Sequence, residues 1–241
     1  GGVGIVVEIS GCVVKGGRGI GKQGLPDTFR VIGECAFEDG AGVVELGLPD
    51  TLTAIGDFVL CGCSGLVKLH LPDTVTAIGG DAFRDCSGLV DLHLPDTLTA
   101  IGGHAFEGCS GLVDMHLPAT LTAIGDYTFC GCSGLVELRL PDSLTAIGGH
   151  AFVKCTNLRC IVLPPALTTL NSTAFKESMI NLRMLVVPFT VAVEIAAIVG
   201  VMFGSRVGPN HSANSADIRC GESNEVDFPH VSNLQLVSAP D

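Results

Sequence analysis

The sequence predicts a solenoid, a fold in which similar short units stack on one another. The first observation is a fixed period, because one residue pattern returns every 23 residues. Periods in the twenties are typical of units that contact only their neighbours. The second is composition: 32 Gly and 47% hydrophobic residues against 16% charged ones suit tight turns that return apolar side chains to one spine. The units begin at Leu25, Leu48, Leu71, Leu94, Leu117, Leu140 and Leu163.

Each unit contains two short extended segments. Residues 112–117 have the spacing of a strand with Met115 and Leu117 facing inward. A proline ends that strand because it cannot donate a hydrogen bond, and a second run follows, as at residues 98–101. An Ala-Phe pair then places Phe106 in the interior. We therefore predict about seven units with short parallel strands, mainly β, joined by turns and short helical segments.

The pattern divides the chain into four parts. Residues 1–24 are predicted to be an N-terminal cap or degenerate repeat, 25–187 the array, 188–204 a capping segment and 205–241 a disordered tail. The last unit is atypical, with Ser178 in a cysteine position and two inserted residues, as expected at an end. The apolar run 189–203 is shorter than the ~20 residues of a membrane span, so we expect a cap and no membrane association.

The glycine-rich stretch at 15–24 copies parts of two nucleotide-binding motifs. Both motifs need a following helix, whose N-terminal amides face the phosphates. Here a repeat opens instead, with Leu25 and Pro26. We therefore predict no cofactor.

The cysteines follow the repeat. One repeat position near the phenylalanine is cysteine in five successive units: Cys63, Cys86, Cys109, Cys132 and Cys155. This recurrence predicts a ladder of buried free thiols rather than disulfides. Cys61 and Cys130 are predicted to face solvent and to be more reactive. Each makes a Cys-Gly-Cys pair, which supplies only two of the four ligands that zinc needs. Unpaired thiols favour a reducing compartment.

The repeated run Ala-Phe-x-x-Cys-Ser-Gly-Leu-Val-x-Leu-x-Leu-Pro-Asp-Thr-Leu-Thr-x-Ile-Gly resembles the BspA-like leucine-rich repeat family over residues 25–187. The Asn or Cys that follows the strand in ordinary leucine-rich repeats is replaced by residues such as Thr51. The resemblance implies a curved, non-enzymatic recognition solenoid at the cell surface or outside the cell. That location conflicts with the compartment that the thiols favour.

Charge and side-chain pairing exclude two classes of function. A formal charge of −12 argues against nucleic acid, whose phosphates are bound by Lys and Arg. Stacking brings no Ser, Cys or carboxylate to a base that is itself held by a third group. We therefore predict no catalytic residue and no enzyme.

The predicted strands present two outward columns, because residues two apart share a face. Adjacent rungs lie ~4.8 Å apart, so two histidines can share a zinc ion, but a complete metal site is not supplied. We predict that this strand wall binds a protein or glycan partner; the alternative is a structural spacer or surface-layer element without a specific ligand. The first column contains Glu45, Lys68, Asp91, Asp114 and Glu137, and the second contains His70, His93, His116 and Arg139.

A turn position later in the unit alternates between His and Asp. It holds His104 and His150, and the sequence pattern assigns Asp57, Asp81 and Asp126 to the same turn in other units. Such alternation predicts solvent exposure rather than metal ligation.

Overall fold

The structure, a computed structural model, describes residues 7–9, 23–25, 27–176, 178, 184–188 and 235–239. It confirms the solenoid: strands of successive units pair in parallel and in register, as Asp114 does with Glu137 and Met115 with Leu138. Each complete unit has three sides, which are two walls of short strands and a turn edge.

The first wall, called the strand wall, is formed by the segments in which a buried apolar residue lies between two outward-facing ones, as in Glu137–Arg139. Its strands are β2 (Gln23–Gly24), β4 (Leu46–Gly47), β6 (Lys68–His70), β8 (Asp91–His93), β10 (Asp114–His116), β12 (Glu137–Arg139), β14 (Cys160–Val162), β16 (Met184–Pro188) and β17 (Gln235–Ala239). The register advances by 23 residues until β14, where Cys160 pairs with Met184. The last unit therefore has one inserted residue before β16, and the two predicted from the sequence were wrong.

The second wall carries mostly two-residue Ala-Ile strands. A glycine ends each of them in most units, because the backbone of the preceding unit approaches closely there. A Cβ on Gly102, for example, would lie 2.5 Å from the Gly80 nitrogen. The strands are β1 (Val7–Ile9), β3 (Phe29–Ile32), β5 (Ala54–Ile55), β7 (Ala77–Ile78), β9 (Ala100–Ile101), β11 (Ala123–Ile124), β13 (Ala146–Ile147) and β15 (Thr169–Leu170).

The turn edge comprises residues 103–108 and their equivalents in the other units. Alternate N–H groups donate to the next unit; Phe83 N–H, for instance, donates to the Ala105 carbonyl at 2.8 Å. The described residues of this edge form turns, and the short helical segments expected within the units do not occur there. His104 has a φ of 59° and Gly108 one of 73°, and left-handed residues four apart stop a right-handed helix.

The interior consists of ladders of equivalent side chains. Five phenylalanine rings stack with centroids 5.0–5.6 Å apart and planes within 8° of parallel. The predicted thiol ladder is confirmed, because all five cysteines are fully buried. Each thiol donates to the backbone carbonyl 26 residues earlier, as Cys109 does to Phe83 at 3.0 Å. Ser178 keeps the same bond with the Phe152 carbonyl, which explains why serine can replace cysteine there. The rings belong to Phe83, Phe106, Phe129, Phe152 and Phe175.

The hydrogen-bonded ladders of both walls are interrupted at the same place within residues 27–176, a seam where β8 does not pair with β10 and β9 does not pair with β11. On the strand wall, β4 and β6 are in addition joined by an isolated bridge between Glu45 and Lys68. Leu92 beside this seam is partly exposed, although Leu69 and Met115 in the same position are buried. The turn edge remains joined across the seam, because His104 N–H donates to the Asp126 carbonyl at 2.9 Å. The strand wall is therefore divided into two stretches.

Strand pairing extends beyond residues 25–187 at both ends. β1 pairs with β3 and β2 with β4, so Gln23–Gly24 form a strand in the glycine-rich stretch. Within 205–241, the described strand β17 pairs with β16, which the prediction of a tail did not include. The rest of 205–241 and the predicted cap at 189–204 lie outside the described residues. Among the residues that are described, no helix is long and apolar enough to cross a membrane.

Candidate binding surfaces on the strand wall and the turn edge

The strand wall exposes the two predicted columns. In β6, β10 and β12 the outer residues are exposed and the middle one is buried. Eight of the nine predicted contact residues are exposed, and Glu45 is half-buried. Their accessibility agrees with a contact surface. Whether they bind a partner stays a prediction.

Contacts between neighbouring residues of the same column differ on the two sides of the seam. Before it, Lys68 Nζ lies 2.6 Å from an Asp91 carboxylate oxygen, and this hydrogen bond and the Asp91 charge raise the pKa of Lys68. The rings of His70 and His93 stack with centroids 4.7 Å apart. After the seam, Asp114 stands opposite Glu137. The second stretch therefore presents two adjacent carboxylates.

A column of valines on the same side was missed in the sequence. Each valine directly precedes a residue of the first column and is 47–51% exposed. Backbone hydrogen bonds join Val44, Val67 and Val90 before the seam; Val90 N–H, for example, donates to the Val67 carbonyl at 2.9 Å. The signal was a Leu-Val pair that recurs in four consecutive units, from Leu66 to Val136, and of which the Leu faces the interior. The exposed members are Val44, Val67, Val90 and Val113.

The turn edge brings together a trio that sequence analysis did not combine. One ligand atom each from Asp81, His104 and Glu107 lies within 4.8 Å of the other two, which makes them the one potential metal-binding group among the described residues. His104 Nδ1 is 2.6 Å from a Glu107 carboxylate oxygen. Arg84 lies among them, with its guanidinium 3.2 Å from Asp81 and 3.8 Å from Glu107. His104 is therefore partnered at a half-buried position.

The assignment of residues to this turn position needs one correction. Asp57 and Asp126 stand one residue earlier than the sequence pattern indicated, because the constant period of 23 residues aligns them with Gly80 and Gly149. Their carboxylates accept hydrogen bonds from the N–H groups of Gly80 and Gly149, both at 2.6 Å. Tyr127 occupies the position instead.

Three rings stack along this position of the turn edge. Tyr127 lies between His104 and His150, with centroids 4.7 Å from each. The stack holds the plane of each imidazole in place on one side.

The two additional cysteines are less exposed than predicted. Cys61 and Cys130 are half-buried rather than fully exposed. Burial, reinforced by the negative charge of Glu38, raises the pKa of Cys61 to about 11. Since the thiolate is the nucleophilic form, the prediction of a reactive Cys61 was wrong.

Comparison with known proteins identifies the family. Residues 19–95 and 78–194 match the BspA type leucine rich repeat region, in six copies. The chain belongs to this family. Such repeats are typical of protein-interaction or surface proteins and are generally non-enzymatic scaffolds.

Solved structures of bacterial leucine-rich repeat proteins are similar to this chain. A leucine-rich cell surface protein from Faecalibacterium prausnitzii is 30% identical with a TM-score of 0.64, over 70% of this chain and 48% of that one. A leucine-rich repeat protein of T. pallidum is 27% identical with a TM-score of 0.60, over 71% and 87%. One from Bacteroides ovatus is 28% identical with a TM-score of 0.59, over 76% and 53%. The chain thus spans about half the length of the first and third. No curated protein sequence matches it.

Proposed function

We propose that this chain is a non-enzymatic recognition module whose strand wall binds a protein partner. The observation that carries the proposal is the valine column beside the two polar columns. Exposed apolar groups that form a continuous stripe flanked by polar residues are typical of protein-binding surfaces. The strand wall thus has an apolar stripe with charged residues beside it. Burial of the valines can hold a partner, and the charges can orient it.

The valines favour a protein over a glycan. Valine methyl groups cannot hydrogen-bond to sugar hydroxyls, and a polar group buried against them without a partner destabilises a complex. A protein partner can cover the stripe with apolar side chains and place cations near Asp114 and Glu137. The two adjacent carboxylates therefore favour a partner with a basic rim.

We also propose that the module acts at the cell surface, as the name of the F. prausnitzii protein states for that relative. The free thiols of the ladder are compatible with this location. They are fully buried, and burial raises the pKa of Cys63 and Cys155 to about 12. Inert, buried thiols resist oxidation, so these five cysteines do not require a reducing compartment.

The binding proposal is tested by comparing capture of surface proteins by three immobilised forms of the chain. They are the wild type, the variant Val67→Ser/Val90→Ser/Val113→Ser, and the control Ala100→Ser/Ala123→Ser on the second wall. Captured proteins are quantified by mass spectrometry. A partner retained by the wild type and the control should be reduced about tenfold or more with the valine variant.

Equal capture by all three forms would contradict a role for the strand wall. A wild type that captures nothing above an unrelated solenoid would favour the structural-spacer alternative. A further variant, His70→Ala/His93→Ala/His116→Ala, determines whether the second column contributes to the same interface.

A further inference from the structure

The turn edge carries a second site, separate from the strand wall. We propose that Asp81, His104 and Glu107 bind one divalent transition-metal ion, of the class of Zn²⁺ or Mn²⁺. Two carboxylates and one imidazole are a donor set suited to both ions. The three residues leave further coordination positions for water or for a group from a partner.

The three ligands are already close to the required distances. Bonds of ~2.0–2.1 Å to a tetrahedral zinc place ligand atoms about 3.3 Å apart. The trio lies within 4.8 Å, with the imidazole and Glu107 at 2.6 Å. Side-chain rotations alone can therefore close the site, and the backbone need not move.

The surrounding structure holds these ligands in place. The face of His104 packs on Tyr127 at 4.7 Å, which restricts the imidazole plane. The Asp81 N–H donates to the Gly103 carbonyl at 3.0 Å and so ties the two rungs together. Only 16% of the Asp81 side chain and 24% of the Glu107 side chain are exposed. Oriented, poorly solvated donors of this kind strengthen a metal site.

Arg84 occupies the place of the cation when no metal is bound. Its guanidinium lies 3.2–3.8 Å from Asp81, Asp85 and Glu107. Three carboxylates against one guanidinium leave an excess of two negative charges, which a divalent ion would neutralise. The Arg84 side chain is 41% exposed and can swing towards solvent while keeping Asp85. Metal binding and the Arg84 ion pairs are therefore expected to compete.

The experiment titrates the full chain with Mn²⁺ and follows paramagnetic broadening of amide NMR signals. Mn²⁺ suits this test because it prefers carboxylate ligands over soft thiolates, which keeps the cysteines out of the measurement. Broadening should begin in residues 80–85 and 103–108. Displacement of Mn²⁺ by Zn²⁺ then shows that both ions use one site.

The variants separate this site from other histidines. His104→Ala and the near-isosteric Glu107→Gln should weaken binding about tenfold or more, whereas Arg84→Met should tighten it. His150→Ala is the matched control, because His150 holds the same turn position and Val153 stands where Glu107 would be. Circular dichroism confirms that each variant is folded.

Three outcomes would overturn the proposal. The first is broadening centred on residues 68–70 and 91–93 that is lost in His70→Ala/His93→Ala, which would place the ion on the strand wall. The second is unchanged binding in both His104→Ala and Glu107→Gln. The third is an absence of localised broadening at millimolar Mn²⁺, which would leave the cluster as an ion-pair network only.

Discussion

At the scale of single residues, two glycines of one unit are needed for different physical reasons. Gly131 has a φ of 75°, and a Cβ there would meet its nearest atom, the Gly108 Cα, at 3.5 Å. Its requirement is therefore conformational. At Gly134 a Cβ would lie 2.3 Å from the Ser110 carbonyl oxygen of the preceding unit. That requirement is steric.

Alanine substitutions should separate these two causes. We expect Gly131→Ala to lower the free energy of unfolding by about 1 kcal/mol, the cost of a left-handed residue with a side chain. Gly134→Ala should lower it by about 3 kcal/mol, because the backbones of two units must move apart. Urea denaturation of both variants measures the difference. Equal losses would contradict the assignment of the clash to Gly134.

At the scale of one element, the phenylalanine ladder links each unit to both neighbours. Phe106 is fully buried, and its ring stacks on Phe83 and Phe129 at 5.3 and 5.5 Å. Leu60 takes the same position in an earlier unit and is also fully buried. The position therefore requires an apolar side chain of sufficient volume more strictly than it requires a ring.

Phe106→Ala and Phe106→Leu test this interpretation. The alanine variant should lose about 3–5 kcal/mol of unfolding free energy, because it leaves a cavity between two rings. The leucine variant should lose about 1.5 kcal/mol or less, as a change that keeps most of the volume. Thermal and urea unfolding of both provide the comparison. A leucine variant as unstable as the alanine one would show that ring stacking, rather than volume, stabilises the ladder.

The same elements show what could be predicted from the sequence. A fixed period makes equivalent residues neighbours. The pattern of a single unit was therefore enough to predict that Phe106 and Cys109 are buried and that His93 is exposed. The period does not show how unlike residues meet across units. In the trio, Asp81 comes from one unit and His104 from the next, and Glu107 lies three residues after His104 in the same turn. This combination forms in one pair of neighbouring units within the described chain.

Two further features escaped prediction because they depend on backbone geometry. The expected helical turns are prevented by left-handed residues, among them Tyr127 with a φ of 56°, which a side chain of that size rarely adopts. The interruption between β8 and β10 lies within a regular repeat, and the change from Leu92 to Met115 there is too conservative to predict it.

At the scale of the whole molecule, the thiol ladder couples stability to pH. Burial raises the pKa of Cys63 and Cys155 to about 12 from an ordinary value of 9.0. The pKa values of Cys86, Cys109 and Cys132 are also raised, again chiefly by burial. The folded chain therefore keeps its ladder protonated over a range of pH in which the unfolded chain ionises.

The sign of the effect follows from proton binding. Below pH 9 the thiols are neutral in both states, and stability does not depend on them. Above pH 9 the unfolded state binds fewer protons, so the free energy of unfolding falls as pH rises, by about 1.4 kcal/mol per pH unit for each thiol. Five thiols acting together would lower it by about 7 kcal/mol per pH unit, so we expect cooperative unfolding within one to two units above pH 9.

Urea denaturation at intervals from pH 7 to 10.5 measures this slope, and Cys109→Ser provides the control. Serine is tolerated in the ladder, as Ser178 shows, and its hydroxyl does not ionise in this range. Whatever the stability of the variant at pH 7, the ladder's contribution to its slope above pH 9 should be smaller by about one-fifth. An identical slope would mean that other groups drive alkaline unfolding, and a stability independent of pH up to 10.5 would mean that the thiols titrate alike in both states.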